Sequence, residues 1–190
     1  MSIDGLVPRS CRRTLARLVV HCSATPSGRR LEPDAARVID RWHAQRGFRR
    51  SAQARARWMP AVGHMGYHYV VNTCGTVQAG RHLDEIGAHA AGHNADSVGI
   101  CLVGGVEREG RYTLVQWEQL AFLVRALRMC AARSGMGLIP RVLGHRDLSP
   151  DANGDGVIDA RDWLKTCPGF EAPAWYRSGM VPPPAHTLET

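Results

Sequence analysis

The sequence predicts an α/β fold: a single domain with a mixed central β-sheet flanked by helices. Three observations carry that expectation. Short apolar runs of strand length alternate with segments of helical period, the order shows no internal repeat, and 190 residues suit one domain with a real core. With 44% hydrophobic and 22% charged residues the chain is neither disordered nor fibrous. No apolar run approaches the roughly 20 residues that span a bilayer.

Each element has a local reason. Residues 1–16 are polar and basic and read as an N-terminal arm, followed by the domain over 17–177 and a Pro-rich tail over 178–190, disordered from Met180. Residues 17–22 form an apolar run that reads as a buried strand, ending in a turn, Ser23-Ala24-Thr25-Pro26-Ser27-Gly28. Pro33 opens a helix that runs to about Gly47, with Ala36, Ile39, Trp42 and His43 on one side. Residues 49–64 are an Arg-, Ala- and Gln-rich insertion, helical or loop; its Arg49, Arg50, Arg55 and Arg57 either rim a groove or stand in solvent. Residues 67–72 and 77–80 read as strands joined by the turn Thr73-Cys74-Gly75-Thr76, and 98–103 as another apolar strand. Thr113 starts the longest helix, Gln116 completes its capping box, and Leu120, Leu123, Val124, Leu127 and Ala131 mark its core stripe. Gly135 and Gly137 end it, and 139–143 is the last strand.

Charge narrows the function classes without choosing one. The net charge is +7, and the first 60 residues hold 13 Arg against Asp4, Glu32, Asp34 and Asp40. A basic face attracts nucleic acid, anionic lipid and wall polymers alike. No nucleic-acid recognition motif accompanies it, so no nucleic-acid partner is expected. The leading apolar run is broken by Arg17 and lacks a small-residue cleavage site, so no signal peptide is expected either. The six cysteines show no tight disulfide spacing and read as free thiols of a reducing compartment, in a monomer. Of 24 basic residues, Lys165 is the one lysine. Lysine offers a compact ammonium where arginine offers a fork.

Three segments carry chemistry. In His21-Cys22-Ser23-Ala24-Thr25 and in Gly144-His145-Arg146-Asp147 a histidine closes a buried strand, and Lys165-Thr166-Cys167-Pro168 adds a cysteine beyond a polar loop. Two such histidines and one thiolate supply three ligands to zinc and leave a fourth position for water, the pattern of a catalytic site. Any one of them alone would pass as a packed core residue. The intervening segment 151–162 matches a twelve-position EF-hand loop. Asp151, Asn153, Asp155, Val157 and Asp162 stand at positions one, three, five, seven and twelve, and Gly156 at six. Asp at position twelve is shorter than the usual Glu, and no helix precedes the loop. Calcium binding and a polar turn that borrows the pattern are both open readings.

The chain resembles the zinc-dependent N-acetylmuramoyl-L-alanine amidases of the phage lysozyme and peptidoglycan-recognition superfamily. Val-Val-His-Cys-Ser-Ala-Thr (19–25), Gly-Tyr-His-Tyr-Val-Val (66–71), His-Ala-Ala-Gly-His-Asn (89–94), Val-Gly-Ile-Cys-Leu-Val-Gly (98–104), Gly-His-Arg-Asp and Lys-Thr-Cys-Pro match in order, over roughly 17–170. The resemblance implies His21, His145 and Cys167 as zinc ligands, Tyr67 and Lys165 as catalytic residues, and His89 and Asn94 as lining the substrate groove. It implies hydrolysis of the amide joining N-acetylmuramic acid to L-alanine in peptidoglycan, as in an endolysin held in the cytoplasm until another factor opens the membrane. A non-catalytic peptidoglycan-binding module and a secreted antibacterial effector are the alternatives; Cys167 speaks against the first, since recognition members usually lack it.

Overall fold

Leu18, Val19 and Val20 have no exposed surface. The reason is the place of their strand, β1 (Arg17–Cys22), in a sheet whose order is β3-β2-β4-β1-β5. In this computed structural model, which describes residues 5–107 and 109–189, the other strands are β2 (Tyr69–Val71), β3 (Val77–Ala79), β4 (Ser97–Leu102) and β5 (Arg141–Gly144). β1 pairs in parallel with both β4 and β5, and β4 in parallel with β2; the β2–β3 hairpin alone is antiparallel. Strands covered on both faces need apolar side chains at every position, which is why β1 and β4 read as continuous runs.

Helices cover the two faces. α3 (Leu114–Arg133) buries Leu120, Leu123, Val124 and Leu127 against Leu18, Val20, Ile100 and Leu102. Full burial of each leucine or valine contributes about 1.5–3 kcal/mol. Its capping box forms as expected: the Thr113 hydroxyl accepts from Gln116 N–H, and the Gln116 carboxamide oxygen accepts from Thr113 N–H. The Gln116 amide then donates to the carbonyls of Val71 and Val103, tying the start of the helix to the ends of β2 and β4. On the other face α1 (Ala35–Gln45), capped by Asp34, packs Ala35, Ala36 and Ile39 with Val70, Cys101 and Val103.

Three expectations need correction. The insertion folds as a short helix, α2 (Ala52–Arg57), capped by Ser51, and Arg50 does not rim a groove. Its side chain is fully buried, paired with Glu85 and donating to the carbonyls of Trp58, Met59 and Val62, so it holds the insertion closed. The arm is not loose where it is described. Cys11 and Leu15 are buried, and Arg13 donates to the carbonyls of Leu83, Asn94, Ala95 and Ser97; residues 1–4 lie outside the described residues. The described part of the tail packs as well. Thr187 bridges to Tyr112 and the His186 carbonyl accepts from Trp117, while just ahead of the tail a fourth helix, α4 (Ala172–Arg177), buries Trp175. Cys74 sits exposed in the hairpin turn, as its place in Thr73-Cys74-Gly75-Thr76 predicts.

Candidate active site

Register builds the site. β1 and β5 run in parallel with Val20 opposite Gly144, so the next residue on each, His21 and His145, leave the same edge of the sheet side by side. Their rings lie 4.6 Å apart between centroids. Val20 points into the core beneath α3, so His21 points to the opposite face, toward α1. There it meets Tyr67, with ring centroids 5.0 Å apart.

Cys167 arrives from a distant part of the chain and is held by backbone on two sides. Arg146 N–H donates to its carbonyl at 2.9 Å, and Cys22 N–H donates to its Sγ at 3.1 Å. The following carbonyl, of Pro168, accepts from the buried Tyr112 hydroxyl at 2.6 Å. One ligand atom each from His21, His145 and Cys167 then fall within 4.8 Å of one another, and this is the one convergent His/Cys/Asp/Glu group among the described residues.

The electrostatics keep both histidines neutral. Burial holds His21 well below its ordinary range, with His89 and His145 adding to the effect. Burial, then the Lys165 ammonium, lowers His145 to about 4. Neutral rings offer lone pairs to a cation at any pH above that. The neighbouring Cys22 thiol and burial raise the Cys167 thiol, so a bound cation would have to displace its proton.

A cavity of about 210 Å³ opens on His145 and Cys167, with His21 buried beside them, and is walled by Trp42, His43, Phe48, Tyr67, His89 and Lys165. Burial raises the Tyr67 hydroxyl well above its usual range, so it stays protonated and serves as a donor. Lys165 is exposed at the rim. A second cavity of about 460 Å³ continues along Arg46, Ala91, His93, Asn94 and Leu164, and shares His89, His145 and Lys165 with the first. Asn94 lines it, but its carboxamide oxygen accepts from the N–H groups of His89 and Ala90, so much of its polarity shapes the loop. His68 and Tyr69 are both structural. His68 is fully buried and bonded to Gly99 N–H, with its other nitrogen 3.0 Å from the Glu85 carbonyl; Tyr69 donates to the Leu6 carbonyl.

The expected calcium ligands are not gathered. Asp151 accepts from the N–H groups of Gly154 and Gly156, Asp162 from those of Ala152 and Asp159, and Asn153 from that of Asp155. Asp155 pairs with Arg161 at 2.7 Å, and Val157 is exposed. The loop is fastened to the site beyond it: Trp163 lies under the Arg146 guanidinium at 4.0 Å, and Leu164 N–H donates to Ser149.

Comparison with known proteins gives the family and the fold. The sequence profile of the family described as N-acetylmuramoyl-L-alanine amidase matches residues 12–170. The chain belongs to the N-acetylmuramoyl-L-alanine amidase family. It is 30% identical over 176 residues to an endolysin of Enterobacteria phage K11, covering 90% of this chain and 91% of that protein. It is 38% identical over 115 residues to the N-acetylmuramoyl-L-alanine amidase of Homo sapiens, which covers 58% of this chain and 18% of that protein. The fold is similar to that of N-acetylmuramoyl-L-alanine amidase LysC from Clostridium intestinale, with a TM-score of 0.59 at 23% identity over 88% of this chain and 85% of that one. Drosophila PGRP-LB gives 0.55 at 22% identity, over 94% and 92%.

In this amidase the structure adds residues that the sequence did not single out as functional. His43 accepts from Gly66 N–H, stands 5.2 Å from the Tyr67 ring, and is lowered to about 4 chiefly by burial. Trp42, Arg46 and Phe48 line the same wall, with the Arg46 guanidinium 5.0 Å over the Phe48 ring. The available signal was a histidine and a tryptophan on the otherwise apolar side of α1. It reads equally well as core.

Proposed function

We propose that this amidase is a zinc hydrolase that cleaves the amide between N-acetylmuramic acid and L-alanine in bacterial peptidoglycan, acting as an endolysin. The observation that carries the reading is the convergence of His21, His145 and Cys167 within 4.8 Å, with His145 and Cys167 on the wall of the cavity that Tyr67 and Lys165 also line. The donor set fits zinc: two neutral imidazoles and a cysteine whose sulfur already accepts a backbone N–H. Zinc held there supplies a Lewis acid for the lactyl amide carbonyl and a water that ionises near neutral pH.

The chain's own residues do the rest. The Lys165 ammonium, at the rim shared by both cavities, stabilises the negative charge that develops on the carbonyl oxygen. Tyr67, held protonated, donates a hydrogen bond that orients the reacting groups. The groove over His89, Asn94 and Arg46 takes the substrate on either side of the scissile bond. Among the described residues no helix is long and apolar enough to cross a membrane. Such an enzyme would act from the cytoplasm once another factor opens the way to the wall.

The test is a digest of purified peptidoglycan with zinc-loaded protein, read by mass spectrometry. The expected products are stem peptides with a free L-alanine amine and no new reducing sugar ends. Intact wall that still retains the protein would replace the enzyme by a recognition module.

A further inference from the structure

His89 reaches the zinc ligand set from behind. Its Nδ1 lies 3.0 Å from His21 Nε2, and its ring stands edge-on to that of His21, with centroids 5.0 Å apart. The ring is slotted between two glycines. A Cβ on Gly87 would fall 2.4 Å from His89 Cδ2, and a Cβ on Gly99 2.6 Å from the same atom. Its backbone N–H is fixed by Asn94. The side chain is therefore placed by the fold and cannot turn away without moving β4.

Hydrogen-bond directions assign the protons. The Ser97 hydroxyl donates to the His93 carbonyl at 2.6 Å, which leaves its oxygen as an acceptor facing His89 Nε2 at 3.4 Å. His89 thus carries its proton on Nε2 and presents a bare Nδ1. His21 must then carry its own proton on Nε2 and donate it to His89. The nitrogen left to His21 with a free lone pair is Nδ1.

We infer that His89 is a positioning residue that locks His21 in the tautomer whose Nδ1 can bind a metal, with Ser97 at the far end of the relay. The inference rests on the zinc reading above. A metal-ligating histidine commonly donates its other N–H to a fixed acceptor, and losing that acceptor typically weakens metal binding about 10–100-fold. It gives His89 a task beyond lining the groove, and explains why a buried serine and two glycines surround a ring at the groove wall.

The experiment is zinc affinity by chelator competition on the full chain, with the melting temperature of each zinc-free variant as the control for folding. His89→Leu should weaken zinc about 10–100-fold. His89→Asn, whose carboxamide oxygen can stand near the former Nδ1, should recover most of that loss. Ser97→Ala, which lies outside the groove, should weaken zinc by a smaller factor and carries the test should His89→Leu fail to fold. In ¹⁵N spectra of the zinc-loaded protein the His21 proton should sit on Nε2. Zinc affinities within twofold of the unmodified chain for His89→Leu and Ser97→Ala, or a His21 proton on Nδ1, would overturn the inference while leaving zinc in place. A spectrum showing His89 itself bound to the metal would also overturn it. An unmodified chain that binds no zinc would overturn the zinc reading, and this inference with it.

Discussion

Two regions of the molecule carry donor patterns in the sequence, and they fare differently in space. The loop 151–162 has its oxygens in one continuous run, while His21, His145 and Cys167 are scattered along the chain. Yet the scattered set converges within 4.8 Å, and the continuous one spends its carboxylates on its own backbone and on Arg161. The difference is one of enforcement. Strand register and backbone donors set the positions of the three distant residues before any ion arrives. The loop is exposed, and its order comes from local turns that serve equally well without a cation. A motif states which atoms are available; the surrounding fold decides whether they meet.

The largest test of that contrast removes a ligand from the converged set. Cys167→Ala should lose stoichiometric zinc and bring release of stem peptides to background, measured by metal analysis and by the peptidoglycan digest. Next comes Lys165→Ala, which should keep zinc while lowering turnover by about 10²–10³-fold, the usual cost of losing one oxyanion-stabilising group. Near-normal turnover in that variant would remove Lys165 from the mechanism.

A pH titration of the zinc-free protein probes the same set through its cost. His43 and His145 are lowered to about 4 and His89 to about 3, while His21 and His68 lie well below their ordinary range, all chiefly through burial. In the unfolded chain these rings protonate near about pH 6.5. Between about 6.5 and 4 the unfolded state therefore binds more protons, and stability falls as pH falls, by up to ~1.4 kcal/mol per pH unit for each histidine. Melting temperatures measured across that window should drop steeply; a flat profile would mean that the histidines are solvated. The smallest effect belongs to the loop. Millimolar calcium should leave the melting temperature unchanged, and a rise of several degrees would show that the Asp155–Arg161 pair yields to an ion.

How much of this was legible before the structure depends on the kind of constraint. The sheet and the two long helices could be read because burial imposes a period on the sequence, as the apolar runs of β1 and β4 and the Thr113–Gln116 box show. The three candidate ligands could be named from two strand-end histidines, a cysteine beyond a polar loop and the resemblance, and the structure brings them together. Arg50, read as exposed, and Arg13, within an arm read only as polar and basic, escape the sequence for one physical reason. An arginine buried among carbonyls looks, in sequence, like an arginine in solvent, and only the partners tell them apart. The pairing of His89 with His21 was hidden because it follows from the packing of a loop between two glycines, which no periodicity announces.

The wide spacing of the ligand set has a consequence in time. Cys22, whose N–H cradles the Cys167 sulfur, is separated from that cysteine by 145 residues. During synthesis β1 emerges early and waits beside partners that do not yet exist, since β4 and β5 must both follow before its edges are paired. A chain interrupted between His145 and Cys167 carries two histidines of the set and no third donor. On the zinc reading such a fragment cannot complete its donor set, so the site closes only after the segment behind β5 has been made and has folded back against β1.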